Sequence, residues 1–297
     1  MSGLAIKVTG ARVLSIPETP IASDICACNF VCEWEETVFA SPDTSDSWKR
    51  DYTDFLARKI TAGDTLDIKL FRYGVEVATI TDNSYGTYYA AGDFAAQPLY
   101  VGWLADWSLI FAAFGGGQYY VTISGTIVGA AYSFTSRKFR LLLWNEEAAD
   151  LTAKVESYQS GNIISNQFDF TGLLPGGWYS SIRLDARFGK RKPVLEVDEV
   201  LGTSYQSIQN RTQVRHEYTL ETRYIPMTVL NSLSDKDFIG NKLFITDYSL
   251  LNEYKFNRIP VVTKSYEDTV NDGWTTGRGR YTILFDERVQ DTIKRNF

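Results

Sequence analysis

Arg211-Thr-Gln-Val-Arg-His-Glu-Tyr-Thr-Leu-Glu-Thr-Arg-Tyr224 decides the class of this chain. Its odd positions, Arg211, Gln213, Arg215, Glu217, Thr219, Glu221 and Arg223, are all polar or charged. Its even positions run Thr212, Val214, His216, Tyr218, Leu220, Thr222 and Tyr224, and most are apolar or aromatic. A period of two belongs to a pleated strand, whose side chains point alternately to opposite faces. At about 3.3 Å per residue the stretch spans roughly 45 Å, and ordinary strands reach about half of that. So long a strand needs a long partner, supplied by the same chain or by a neighbouring subunit. The alternating signs of Arg211, Arg215, Glu217, Glu221 and Arg223 suit ion pairs across strands or across subunits, which makes these five the candidate oligomer interface.

Outward from this ribbon the same period recurs. Towards the N-terminus, Gln118 to Ile127 alternates behind the turn Gly115-Gly116-Gly117. Lys138 to Trp144 puts Phe139, Leu141 and Leu143 on one face. Leu151 to Ser157 puts Ala153 and Val155 inward and Thr152, Lys154 and Glu156 outward. Thr65 to Phe71 and Val75 to Ile80 flank Arg72-Tyr73-Gly74 as a hairpin. Short strands at regular spacing with Gly- or Asp/Asn-rich turns predict a sandwich or barrel. Towards the C-terminus, a turn or two of helix starts at Pro226, with Val229, Leu230 and Leu233 as its apolar stripe and Ser234-Asp235 as its end. Lys242 to Asp247, Lys255 to Thr263 and Arg278 to Phe285 then read as closing strands. The expected fold is all-β: two sandwich- or barrel-like domains, with one long strand and a short helix in the second. The polar run Ser157 to Asn166 and Pro175-Gly176-Gly177 mark the seam, so residues 1–160 form an N-terminal sandwich and 161–297 a C-terminal, assembly-forming domain.

Composition narrows the chemistry. In 297 residues, 44% hydrophobic content allows a sizeable core, and 14% aromatic content favours strands and subunit contacts. A net charge of −6 argues against a dedicated nucleic-acid binder. The basic group Arg187, Lys190, Arg191 and Lys192, ending at Pro193, is too short for such a patch and reads as a solvated loop or an acid-facing contact. No secretory signal or membrane-length apolar run is expected; Leu99 to Phe114 carries Asp106 and reads as buried structure and a turn.

Cys26, Cys28 and Cys32 are too few for a four-ligand metal site, so neither metal nor cofactor is expected, and Cys26 and Cys28 read as packing residues on one face of a strand. His216, the single histidine, lies within the long strand and reads as packed and hydrogen-bonded there. Neither a phosphate loop nor a nucleophile and base at suitable spacing is present, so no enzyme activity is expected. Acids beside tryptophan, Glu33, Glu35 and Glu36 about Trp34 and Glu146-Glu147 after Trp144, leave a carbohydrate site open. Trp34, Trp103, Trp107 and Trp144 are its candidate stacking platforms, with core packing as the competing reading.

Gly177-Trp-Tyr-Ser-Ser-Ile-Arg-Leu-Asp-Ala-Arg-Phe-Gly189, the ribbon Arg211 to Thr222, Leu230 to Leu233, Phe244-Ile-Thr-Asp-Tyr248, Arg258-Ile-Pro-Val-Val262 and Tyr281 to Phe285 together resemble tail-associated structural proteins of long-tailed bacteriophages infecting Bacteroidetes. The likeness covers roughly residues 165 to 290 and is carried by a strand pattern with scattered identities. It implies a virion component of the distal-tail or baseplate type, assembled in the host cytoplasm. It also implies a homo-oligomeric ring, commonly a hexamer, in contact with tube, tail-tip and baseplate proteins, and no catalytic residues. A carbohydrate- or receptor-binding module of the tail tip, touching a host surface glycan, is the alternative.

Overall fold

The structure is a computed structural model. It describes residues 8–9, 34–43, 47–58, 65–89, 100–127, 129–159, 178–201, 207–226, 229–230, 233, 238, 242–253, 255–271, 278–287 and 291–293. The three cysteines and Glu33 lie outside these residues.

The chain is mainly β, as the periodicity predicts. The first unit holds β1 (Val8–Thr9), β2 (Glu35–Ala40), β3 (Tyr52–Arg58), β4 (Thr65–Arg72), β5 (Val75–Ile80), β6 (Gly86–Tyr89), β7 (Tyr100–Asp106), β8 (Gly117–Ile127), β9 (Ala130–Thr135) and β10 (Lys138–Leu143). Two sheets form, one ordered β1-β3-β7-β6 and the other β2-β10-β8-β4-β5 with β9 also on β8. Their facing sides share one core. Phe55, Val101 and Trp103 come from the first sheet, and Val38, Ile68, Val121 and Phe139 come from the second. Phe55 stacks on Trp103 with centroids 5.5 Å apart. This is the β-sandwich layering that alternating inward residues require.

The β4–β5 hairpin turns on Tyr73 and Gly74, at φ 49° and 84°. Two positive φ angles give the turn whose twist matches the flanking strands, and glycine meets that demand without a Cβ clash.

Leu99 to Phe114 departs from expectation. After β7 comes a helix, α1 (Trp107–Phe114), where buried structure and a turn were predicted. The Asp106 side chain caps it by accepting from the Ser108 N–H, which satisfies a donor that the first turn leaves over. Trp107 and Ile110 enter the sandwich core. In β10, Phe139 and Leu141 are buried as expected, whereas Leu143 at the strand end is 52% exposed.

The second unit follows the short helix α2 (Glu146–Ala149). It holds β11 (Thr152–Gln159), β12 (Trp178–Leu201), β13 (Ser207–Thr222), β14 (Ile225–Pro226), β15 (Lys242–Asp247), β16 (Arg258–Asn271), β17 (Arg278–Glu287) and β18 (Asp291–Ile293). Its order, β14-β17-β16-β15-β11-β12-β13-β18, is closed by a β13–β17 pairing, so six strands form a barrel. Every pairing in it is antiparallel. Val155, Ile182, Leu184, Leu220, Ile245, Ile283 and Phe285 fill the interior. Of the expected helix at 226–235, Pro226 does not start it but pairs with Arg278 in β14, while Val229 and Leu230 are helical and Val229 and Leu233 pack into the barrel core; residues 227–228, 231–232 and 234–235 lie outside the described residues. β11 precedes the predicted seam at residue 160 but ladders to β12 and β15, so the boundary between sheets falls between β10 and β11.

Candidate functional site

The long strand exists, and Tyr218, Leu220 and Thr222 are buried as its pattern predicts, but it ends at Thr222, so Arg223 and Tyr224 lie beyond it and Tyr224 is exposed. Much of its ladder is met inside the chain. One edge pairs with β12 from Ser207 to Thr222, and the other pairs with β17 over Glu217–Glu221 and with β18 over Thr212–Val214. Of the two sources of a long partner that the sequence left open, the chain itself supplies one: a still longer strand, β12, runs beside it.

β12 changes partner midway. Trp178 to Asp185 ladder to β11 on one edge, and Ala186 to Leu201 ladder to β13 on the opposite edge. Beyond Pro193 this stretch and β13 continue past the strands that close the barrel as an arm, joined by β18 only at Thr212–Val214. Among the described residues, no strand ladders to the other edge of Val194–Leu201. A long two-stranded ribbon is marginal alone in water, and an open edge is a template for another strand.

Sequence features guard the base of this arm. A bulge falls between Gly189 and Lys192, and Pro193 sits opposite His216. Proline lacks the N–H that a central ladder consumes, so within a sheet it belongs on an edge. Arg187, Arg191 and Lys192 are exposed, on a strand and not on the loop that the sequence suggested. An open groove of about 850 Å³ flanks them, with Asp247, Asn252 and Leu251 across it. Leu251 is 84% exposed. Burial pushes the Asp247 carboxyl up against the opposing hydrogen bonds from Asn252 and the Phe188 N–H.

The five candidate interface residues divide. Arg215 stands 3.6 Å from Asp286 and 3.8 Å from Glu217, and Lys264 bonds Glu217. The Arg215–Asp286 and Lys264–Glu217 pairs cross strands and the Arg215–Glu217 pair lies along β13, all within one molecule, so Arg215 and Glu217 are committed internally. Glu221 is half-buried and Arg223 is exposed, and the side chain of Arg211 lies outside the description. His216 is held as expected, its Nδ1 2.6 Å from Glu287 and 2.9 Å from Arg191.

The four tryptophans do not form a platform. Trp103 and Trp107 lie in the sandwich core and Trp34 in the barrel core, so no indole face is left for a sugar. Trp144 is half-buried in an aromatic cluster with Phe39, Trp48, Tyr248 and Phe256. The acids near them do not converge either. Glu36 is buried against Arg137, Glu35 accepts from Gln118, and Glu146 and Glu147 sit exposed in the first turn of α2.

Where sandwich meets barrel, the face of β11 predicted to point outward is covered. Thr152, Lys154 and Glu156 are buried, Lys154 to 2% exposure. Beside them Arg183 of β12 grips Asp51 through two bonds of 2.8 Å and donates to Thr152 at 3.0 Å. Asp51 also accepts from the Phe39 N–H at 2.8 Å, and Glu36 accepts from the Arg183 N–H at 2.7 Å. Lys154 donates to the carbonyls of Arg50 and Trp48. Burial alone would lower the Arg183 guanidinium, but Asp51 and Tyr248 outweigh it and hold it above its ordinary value. For Arg137 burial prevails over Glu36, and its value is lowered. Charges buried at a seam survive only when paired and bonded.

The same seam holds a cleft of about 390 Å³. Trp48 and Tyr52 line it from the sandwich side, and Tyr158, Tyr179, Phe256 and Arg258 from the barrel side. Neither β11's covered face nor this cleft was legible beforehand, because the partners lie some hundred residues apart in sequence.

No helix among the described residues is long and apolar enough to cross a membrane, and no cluster of three or more His, Cys, Asp or Glu suits a metal among them. No protein-family model matches the chain, and no curated protein matches it.

Proposed function

We propose that this chain is a structural component of a long-tailed phage tail, of the distal-tail or baseplate type, acting by assembly with copies of itself and without catalysis. The observation that supports assembly is the arm. β12 leaves the barrel and presents Val194–Leu201 with one edge that no described strand covers. A neighbouring copy that adds a strand there satisfies backbone groups and extends the sheet from one subunit to the next. Repeated head to tail, such a contact closes into a ring. The tail attribution rests on the sequence resemblance over residues 165 to 290, and it makes tube, tail-tip and baseplate proteins the neighbours and the virion the location.

Native mass spectrometry tests the assembly. A discrete species at an integer multiple of 33.6 kDa is expected, with six copies as the stoichiometry that the resemblance implies. A monomer at every concentration, and in the presence of tail-tube protein, would contradict it. Immunogold labelling of purified virions tests the location, and label away from the tail would remove the tail attribution. The alternative, a carbohydrate- or receptor-binding module, loses Trp34, Trp103 and Trp107 to the cores, and only the seam cleft speaks for it.

A further inference from the structure

We propose that the cleft between sandwich and barrel binds a neutral saccharide; this stands independently of the assembly reading. Its walls are aromatic and steeply inclined to one another. Tyr158 and Tyr179 stand 5.0 Å apart at 59°, and Tyr52 meets Tyr179 at 6.1 Å and 85°. Trp48 and Phe256 stack at 4.5 Å and form the adjoining wall. A planar base would need parallel plates. Walls that meet at such angles instead fit a puckered ring, whose C–H groups point in several directions and pack on aromatic faces.

The polar groups are few and fixed. Glu156 accepts from Tyr179 Oη at 3.0 Å and from Arg258 Nε at 2.9 Å. Arg258 lies over Phe244 at 3.7 Å and donates to Tyr158 Oη at 3.1 Å. The Tyr158 hydroxyl, accepting from Arg258, keeps its own proton to donate. A carboxylate that already accepts two bonds still has lone pairs for ligand hydroxyls.

The charges at the cleft are already engaged. Glu156 is matched by Arg258, and the buried Lys154 donates to the Trp48 and Arg50 carbonyls and stands 3.8 Å from Asp51, which it shares with Arg183. The cleft therefore offers aromatic faces and bonding groups whose charges already have partners, and a neutral sugar presents the complement of both. Its volume falls within the range of small-ligand sites. Both units contribute walls and the buried ion pairs join them, so the site is formed before any ligand arrives.

Saturation-transfer NMR and calorimetry with lactose, cellobiose, maltose and N,N′-diacetylchitobiose test this. At least one is expected to bind saturably with a millimolar or tighter Kd, weakened about tenfold or more in Tyr52→Ala and Tyr158→Ala. Tyr158→Phe keeps the ring and should lose less, and Tyr73→Ser, at the distant hairpin tip, should change nothing. Absence of binding by all four sugars would overturn the proposal, as would binding undiminished in folded alanine variants. Should those variants fail to fold, ring-resonance shifts in the unaltered chain decide: shifts at Tyr52, Tyr158 and Tyr179 support the site, and shifts elsewhere overturn it.

Discussion

Arg183 is the side chain on which the joining of the two units turns. It lies on β12, its guanidinium is sandwiched against Tyr248 at 4.1 Å and Phe39 at 4.8 Å, and its charge is matched by Asp51 from the sandwich. Removing one member of a buried pair leaves the other charged and dry, at a cost of about 3–5 kcal/mol. Arg183→Met is therefore expected to lower stability by about that amount in denaturant unfolding, and Arg183→Met with Asp51→Leu to recover part of it, since the Phe39 N–H and Lys154 then lose Asp51. Equal losses in the single and double variants would show that packing matters here and charge does not. Glu217 is a milder case at the surface. The hydrogen bond from Lys264 holds its carboxyl below the usual carboxylate range. A depressed folded value means that its contribution is present above the unfolded pKa and is lost as pH falls through the lowered one. Lys264→Met should bring the Glu217 midpoint, followed by carboxyl NMR, back up towards the ordinary value, and an unmoved midpoint would refute the assignment. Thr152, Lys154 and Glu156 explain why such details escape a sequence reading. An alternating polar row looks the same whether water or a second domain covers it, and the covering groups, Asp51 and the carbonyls of Trp48 and Arg50, come from far along the chain.

Among the elements, β12 carries the functional argument. Its first eight residues are barrel wall and its last eight are arm, separated by the bulge and Pro193. The long alternating strand β13 was legible because its two faces differ sharply in polarity. Its longer partner was not, since Gly189, the basic run and Pro193 break the pattern where the strand bends. The β4–β5 hairpin was legible in full, turn included, because Gly74 and the flanking alternation agree. Helix α1 was hidden because its eight residues, Trp107–Phe114, are apolar on nearly every side and lack a helical stripe. If the arm serves assembly and not folding, it is dispensable to the barrel. Replacing residues 196–213 with Asn-Gly joins Leu195 to Val214, which already face each other, through a favoured hairpin turn. This variant should keep the wild-type far-UV spectrum and lose no more than about 2 kcal/mol, an allowance for the β18 pairing at Thr212–Val214. It should also remain monomeric. A shortened chain that still oligomerises would move the interface elsewhere.

For the whole molecule, the sandwich and the barrel are joined by ion pairs and by the Trp48–Phe256 stack, with the cleft between these walls, while the arm keeps an edge uncovered by any described strand. The all-β class and the two-part plan follow from periodicity. The barrel's closure does not, because the β13–β17 pairing joins residues about sixty positions apart and no local pattern announces it. Copies are proposed to meet at the edge of Val194–Leu201. Amide hydrogen exchange measured across a dilution series addresses that edge directly. Exchange at residues 194–201 should be fast in dilute monomer and slow sharply as mass increases, with the barrel strands unchanged. Mass that rises while these amides keep exchanging as in the monomer, or amides already protected in the monomer, would contradict it.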